Sequence, residues 1–252
     1  GPASSLYGSD AMAGVVNIIT RQGGAEPTFE GSLARGDFGR KYAALSHGWH
    51  VGPVRYYLSA LHDEFQLFEQ YGELSRQFAG ANRHATQDRD NLTLRVDADL
   101  GTRHHVSFFP SFHQQTNPDS RNRHLLVGGE WQWDATEQVH LTSWINRHEF
   151  ARTNTLTGFQ EDVRYDDTEG ESRATIDWRD GPWQRHTVTL GGRVRSQALD
   201  QTSAPVDLPG GRTLRPHVAA SVWQVSPFAQ NDLRLTESVS LLLGVSLDVH
   251  ER

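Results

Sequence analysis

The chain has 252 residues, 36% of them hydrophobic, a formal net charge of −7 and a mean hydropathy of −0.60. The negative balance disfavours a general nucleic-acid binder. The absence of cysteine removes disulfides, thiolate metal sites and cysteine nucleophiles, and no run reaches the ~18–20 apolar residues of a transmembrane helix.

Seven Trp, six Tyr and eleven Phe argue against disorder. A membrane β-barrel stays open, because its strands carry only a weak, alternating signal. The chain opens GPASSLYGSDAMAGVVNIITRQGG. Gly8 and Gly14 permit close backbone approach that a Cβ would block, Ser4 or Ser5 can cap a short turn through Leu6 and Tyr7, and VVNIIT reads as a short buried strand interrupted by Asn17. The spacing of Gly1, Gly8 and Gly14 fits neither the dinucleotide nor the P-loop pattern, and no useful helix follows to receive a phosphate.

After residue 25 the alternation predicts about eleven strands of roughly 9–13 residues. They fall near 27–37, 40–51, 53–66, 90–100, 104–115, 123–134, 138–150, 171–179, 185–197, 217–231 and 238–250. The criterion is parity, since a strand sends successive side chains to opposite faces. In NLTLRVDADL, Leu92, Leu94, Val96, Ala98 and Leu100 oppose Thr93, Arg95, Asp97 and Asp99. Ala174, Ile176 and Trp178 oppose Arg173, Thr175 and Asp177, and Val188, Leu190 and Val194 oppose Thr187, Thr189, Arg193 and Arg195. Val239, Leu241, Leu243, Val245, Leu247 and Val249 oppose Ser240, Gly244, Ser246 and Asp248, with Leu242 as the exception. The strands near 123–134 and 138–149 alternate less cleanly. No amphipathic helix interrupts the series, so the fold class is all-β, an antiparallel meander rather than βαβ units.

The connections alternate in length. Short ones fall at 51–53, 101–103, 135–137, 180–182 and 234–237, and long ones at 67–89, 116–122, 151–170 and 198–216; the connection around Asp37 to Gly39 is short where a long one belongs. Tight turns at one end and long loops at the other are the pattern of an outer-membrane barrel. The polar face carries Arg95, Asp97, Glu130, Arg173, Asp177 and Arg193 at mid-strand, which suits a wet lumen or plug surface and would be costly against lipid. Trp49, Tyr56, Trp133, Trp178 and Trp223 stand near strand ends, as an interfacial girdle requires. The competing reading is a soluble β-rich binding or adhesion protein with one solvated face.

The thirteen His are spread from His47 to His250 with no metal-ligand spacing, and His104 and His105 point to opposite faces of one strand. They read as scattered surface residues. The stretch with Glu161, Asp162, Asp166, Asp167, Glu169 and Glu171 could hold Ca²⁺, but it lacks the spacing of a calcium loop and reads as a solvated external loop. In the loop 67–89, Tyr71, Arg76 and Arg83 mix aromatic and basic groups that could meet an anionic chelate. No catalytic constellation emerges, so the sequence does not read as an enzyme, and nothing in it calls for a cofactor or a resident metal.

The opening stretch resembles the end of the plug domain of TonB-dependent outer-membrane receptors. The family closes its plug with a motif much like R-G-P-x-S-x-L-Y-G-S-x-A-x-G-G-V-V-N-I-I-T. Gly1, Pro2, Ser4, Leu6, Tyr7, Gly8, Ser9, Ala11, Gly14, Val15, Val16, Asn17, Ile18, Ile19 and Thr20 match it, and Ala13 stands where Gly is common. Near the other end, SPFAQNDLRLTESVSLLLGVSLD resembles a recurring barrel hairpin of the same family. The resemblance implies a fragment. Residues 1–24 would be the C-terminal end of the plug, and 25–252 about the first half of a 22-strand transmembrane barrel. It further implies uptake of a scarce ligand such as a ferric siderophore, haem or cobalamin, with the TonB complex, that ligand and the lipid bilayer as partners. Gly1, Pro2, Tyr7, Gly8, Gly14 and Asn17 would then be structural and gating parts of the plug. A passive outer-membrane pore is the alternative within membrane proteins.

Overall fold

The structure is a computed structural model, and it describes residues 21–37, 39–66, 86–117, 120–156, 159–178, 185–208, 212–214, 216–236 and 238–251. In chain order the strands are β1 (Thr28–Arg35), β2 (Lys41–Val51), β3 (Val54–Gln66), β4 (Thr86–Leu100), β5 (His104–Asn117), β6 (Ser120–Asp134) and β7 (Val139–Leu156). There follow β8 (Phe159–Trp178), β9 (Arg185–Ser203), β10 (Val206–Leu208), β11 (Arg212–Leu214), β12 (His217–Arg234), β13 (Ser240–Ser246) and β14 (Val249–Glu251). β1 to β9, then β12 and β13, pair in sequence order as one antiparallel sheet; β14 continues β13 along β12, and β10 and β11 form a separate hairpin. With β13 and β14 taken as one interrupted strand, the sheet has the eleven strands that the alternation predicts. Among the described residues it is open, with β1 at one edge and β13 with β14 at the other.

Register puts the aliphatic rows together. Tyr56 pairs Val96, Val96 pairs Phe108, and Leu58 pairs Leu94 on one face, while Thr93 pairs Ser111 and Asp97 pairs Ser107 on the other. Burial then separates the faces in an unusual sense. Among the described residues Phe228 is the one buried apolar side chain of the sheet's interior, whereas Asp63, Gln87, Asp97, Ser107, Glu171, Asp177 and Ser226 are buried. All of these lie on the polar face by parity. The opposite face exposes Leu33 at 87%, Ile145 at 59% and Val245 at 67%, along with most other large apolar residues. On a curved sheet the concave side crowds its side chains and the convex side splays them. The polar face is therefore the inside of the curve and the greasy face the outside, as a membrane barrel requires.

The turn end of the sheet is built from local chemistry. Gly52 and Gly101 take φ of 60° and 76° in the tight turns β2–β3 and β4–β5, a region that costs an L side chain energy. In the turns β6–β7 and β12–β13, Thr136 Oγ1 accepts from the Val139 amide at 3.0 Å, and Thr236 Oγ1 accepts from the Val239 amide at 3.0 Å. The same Thr–Glu–x–Val sequence thus makes the same side-chain-to-backbone turn twice. The loop end differs from expectation. The stretches 116–122 and 151–170, read as long loops, are mostly strand, because β5, β6, β7 and β8 run on past the length a membrane needs. The stretch 198–216 likewise holds the end of β9 and the β10–β11 hairpin.

Candidate functional site: the polar wall

The concave wall is the surface that a ligand or plug would meet, and three clusters furnish it. Near the turn end, Arg95 and Asp97 stand two apart on β4 and so share a face. Arg95 Nε and an Arg95 terminal nitrogen donate to Asp97 at 2.8 and 2.9 Å, and Ser107 Oγ on β5 donates at 2.6 Å. Asp97 is fully enclosed, at 0% exposure. His105 extends the cluster to Asp99, with Nδ1 at 2.7 Å from its carboxylate.

On β8 the alternate residues Asp167, Glu169, Glu171 and Arg173 are charged, and register sets Arg193 and Arg195 of β9 beside the carboxylates. Arg193 reaches Glu171 at 2.9 Å and Glu169 at 3.2 Å, and Arg195 grips Asp167 through two nitrogens at 3.0 and 2.7 Å. Bidentate guanidinium–carboxylate pairs of this kind fix geometry as well as charge. Higher on the same wall, β5, β6 and β7 bring three imidazoles into a row. The rings of His113 and His124 are 5.8 Å apart, those of His124 and His148 stack at 5.4 Å, and His124 Nδ1 lies 3.2 Å from His148 Nε2. Phe150 lies 4.7 Å from His124, and Tyr165 meets His148 edge-on at 6.5 Å. A span of roughly 9–11 residues counted from Trp178 ends near Thr168, so Tyr165 stands above it. Burial, and then the neighbouring Asp167 carboxylate, hold the Tyr165 hydroxyl above the ordinary phenol range, so it remains a neutral hydrogen-bonding group.

Glycines shape this wall at two places. The Phe109 ring of β5 lies over Gly128 of β6, and the Phe228 ring of β12 lies over Gly191 of β9, where a Cβ would collide with each ring. This accounts for part of the weak alternation read near 123–134: Gly128 is the floor under the Phe109 ring.

The expected site residues fare unevenly. Gly1, Pro2, Tyr7, Gly8, Gly14 and Asn17 lie outside the described residues, as do Tyr71, Arg76 and Arg83. His104 and His105 take opposite faces as read, with His104 stacked on Trp133 at 5.7 Å. The reading of the histidines as scattered is corrected for three of them, since His113, His124 and His148 meet on one wall. The reading of Glu161 to Glu171 as a loop is also corrected. These residues belong to β8, whose pleat sends Glu161, Asp167, Glu169 and Glu171 inward and Asp162 and Asp166 outward, so the six carboxylates do not face one site. Among the described residues no group of three or more His, Asp or Glu is placed to hold a metal ion.

The outer face carries the girdle. Trp49 pairs Tyr56, Trp133 pairs His104, and Trp178 pairs His186 at the turn end. Trp223 pairs Ser196 much higher on β9. From His186 to Ser196 is roughly 34 Å of strand at ~3.4 Å per residue, or about 25 Å of height at the ~40–45° tilt of a barrel, which is the apolar band of an outer-membrane protein.

No family model matches the chain. Solved structures do. The open form of the ferric-catecholate import receptor Fiu from E. coli superposes with a TM-score of 0.78 at 13% identity, over 99% of this chain and 48% of that one. The fold is that of a TonB-dependent receptor barrel. A ferric enterobactin receptor (PfeA) structure from Pseudomonas aeruginosa matches this chain with a TM-score of 0.73 at 16% identity, over 100% of the chain and 43% of its own length. The siderophore receptor PiuA from Acinetobacter baumannii gives 0.72 at 11%, over 99% and 50%. Among curated proteins, the iron-regulated outer membrane virulence protein of Vibrio cholerae is 23% identical over 98% of the chain and 38% of its own length. The chain thus spans half or less of the receptors it resembles.

Proposed function

We propose that the protein to which this chain contributes is an outer-membrane receptor that takes up a ferric siderophore by TonB-coupled active transport. The observation that carries the reading is the inverted burial: carboxylates and guanidinia are enclosed on the concave wall while Leu, Val and Ile rows are exposed on the convex one. That arrangement is stable where hydrocarbon meets the outside and a plug or ligand meets the inside. It gives a soluble β-rich protein no means of covering its apolar face.

The ligand class draws on the similar proteins, whose names speak of ferric catecholate, ferric enterobactin, ferric preacinetobactin and iron regulation. Haem and cobalamin have no such support. On the polar wall the row His113, His124, His148 and Tyr165 offers flat surfaces for the aromatic groups of a chelate, while Arg193 and Arg195, paired with Glu169, Glu171 and Asp167, hold the wall's geometry. Tyr71, Arg76 and Arg83, in the segment between β3 and β4, are the external residues proposed to meet it first. Tyr7, Gly8, Gly14 and Asn17 are proposed as parts of the plug that must yield when TonB pulls. A ligand too large and too dilute for a diffusion pore needs tight binding followed by driven release, which is transport and not catalysis.

The test is growth and radiolabelled-iron uptake by a deletion strain on a panel of iron chelates and cobalamin. One ferric siderophore is expected to lose uptake in the deletion, and uptake in the parent is expected to stop when a protonophore collapses the proton-motive force. Uptake indifferent to the protonophore would instead fit a passive pore.

A further inference from the structure

From the Glu171–Arg193 pair to the loop end, the polar wall is balanced in charge. Among the described residues of β3 to β9, with Arg40 just before β2, its arginines are Arg40, Arg89, Arg152, Arg193 and Arg195, and its carboxylates are Asp63, Glu161, Asp167, Glu169 and Glu171. Arg40 donates to Asp63 through two nitrogens, at 2.9 and 3.0 Å. Arg152 lies 3.8 Å from Glu161, and Arg193 and Arg195 are held by Glu169, Glu171 and Asp167. Arg89 stands opposite Asp63 in register, with its guanidinium 5.2 Å from the centre of the Phe65 ring and the Gln87 amide turned to accept from its Nε at 3.1 Å. Every one of these guanidinia is thus engaged by groups of the wall itself. The segment between β3 and β4 keeps the same balance, with Glu69 and Glu73 against Arg76 and Arg83.

Between the ion pairs the wall is lined by amides. Gln115, Asn122, Asn154, Gln197 and Gln201 share the inward parity with the row His113, His124, His148 and Tyr165. Amides offer both N–H donors and carbonyl acceptors, and the rings offer flat faces. The charge of a ferric chelate follows from its arms. Three singly charged arms, hydroxamate or phenolate, cancel the charge of ferric iron, whereas three catecholate arms leave the complex trianionic. A trianionic complex could bind this wall only by drawing guanidinia away from their carboxylates, and each carboxylate left behind would then face a like charge. An uncharged complex requires no such exchange.

We propose that the ligand of this wall is an uncharged ferric chelate built from singly charged arms, and that the balanced ion pairs select against trianionic complexes. The inference rests on the siderophore reading above and names the charge class of the ligand. The experiment uses the intact receptor in detergent, with quenching of its tryptophan fluorescence as the readout. The probes are a panel of uncharged ferric chelates, some with hydroxamate arms alone and some with mixed phenolate and hydroxamate arms, and a panel of trianionic ferric tris-catecholates. An uncharged probe is expected to bind at least about tenfold more tightly than any tris-catecholate, with an affinity that changes little between ~0.01 and ~1 M salt. Comparison within the uncharged panel separates the two arm chemistries. Glu161→Gln releases Arg152 from its carboxylate and is expected to tighten tris-catecholate binding about threefold or more. Tightest binding by a tris-catecholate, an affinity for the uncharged probe that falls steeply with salt, or no gain in the Glu161→Gln variant would overturn the proposal. Uptake of the same iron-loaded probes by parent and deletion strains separates it from the reading beneath it. Receptor-dependent uptake of a tris-catecholate alone would overturn the charge assignment and leave siderophore transport standing, whereas receptor-dependent uptake of no probe would overturn both.

Discussion

Asp97 concentrates the chemistry of the inner wall in one residue. It is fully enclosed, yet its oxygens are held by Arg95 and Ser107, so its burial is satisfied and its removal is not. Asp97→Ala leaves Arg95 and Ser107 without that acceptor and is expected to lower stability by about 1–3 kcal/mol. Urea unfolding of the intact receptor in lipid vesicles measures this, and no shift in midpoint would contradict the assigned bonds. Gly128 makes the complementary case. Gly128→Ala places a methyl group in the Phe109 ring and is expected to destabilise by about 1–3 kcal/mol through overpacking, with Phe109→Leu in the same molecule recovering part of the loss. Independent, additive effects of the two changes would show that the ring does not occupy that space.

At the scale of the strand, position along β9 decides what the outward face tolerates. Leu190→Arg sets a charge in the hydrocarbon band and is expected to cost about 2–4 kcal/mol, while Thr202→Arg, on the same face but beyond the band, is expected to cost about 0–1 kcal/mol. Folding titrations of the intact receptor into vesicles compare the two, and equal costs would refute the placement of the band. The same boundary explains what the sequence made legible. Inside the band, lipid on one side and wet wall on the other force strict alternation, so Leu92 to Leu100 and Val239 to Val249 announce their strands and the turn ends fall within a few residues of their predicted positions. Beyond the band both faces are wet, alternation carries no free-energy reward, and the strand through Glu161 to Asp167 reads as a loop. The ion pairs of Arg193 and Arg195 share this opacity in part. Their inward parity is visible, but their partners depend on the β8–β9 register. The His113, His124 and His148 row depends on the registers of β5, β6 and β7 together, which no single strand encodes.

For the whole molecule, the open sheet is the decisive feature. β1 and the β13–β14 strand present unpaired backbone edges among the described residues, a costly state in hydrocarbon and a template for aggregation in water. Residues 1–252 expressed alone are therefore expected to give no heat-modifiable monomer on semi-native gels and no uniform conductance in planar bilayers. A discrete, heat-modifiable porin-like species would contradict this. Fold and function both depend on which face of the sheet meets hydrocarbon. The chain has no cysteine, so single cysteines placed in turn from Leu92 to Leu100 and spin-labelled in the intact, membrane-embedded receptor read this directly through collision with oxygen or with a water-soluble nickel chelate. Leu92, Leu94, Val96 and Ala98 are expected to report oxygen, with Thr93, Arg95, Asp97 and Asp99 shielded from it; aliphatic positions shielded from oxygen, or open to the nickel chelate, would contradict an outward-facing apolar row.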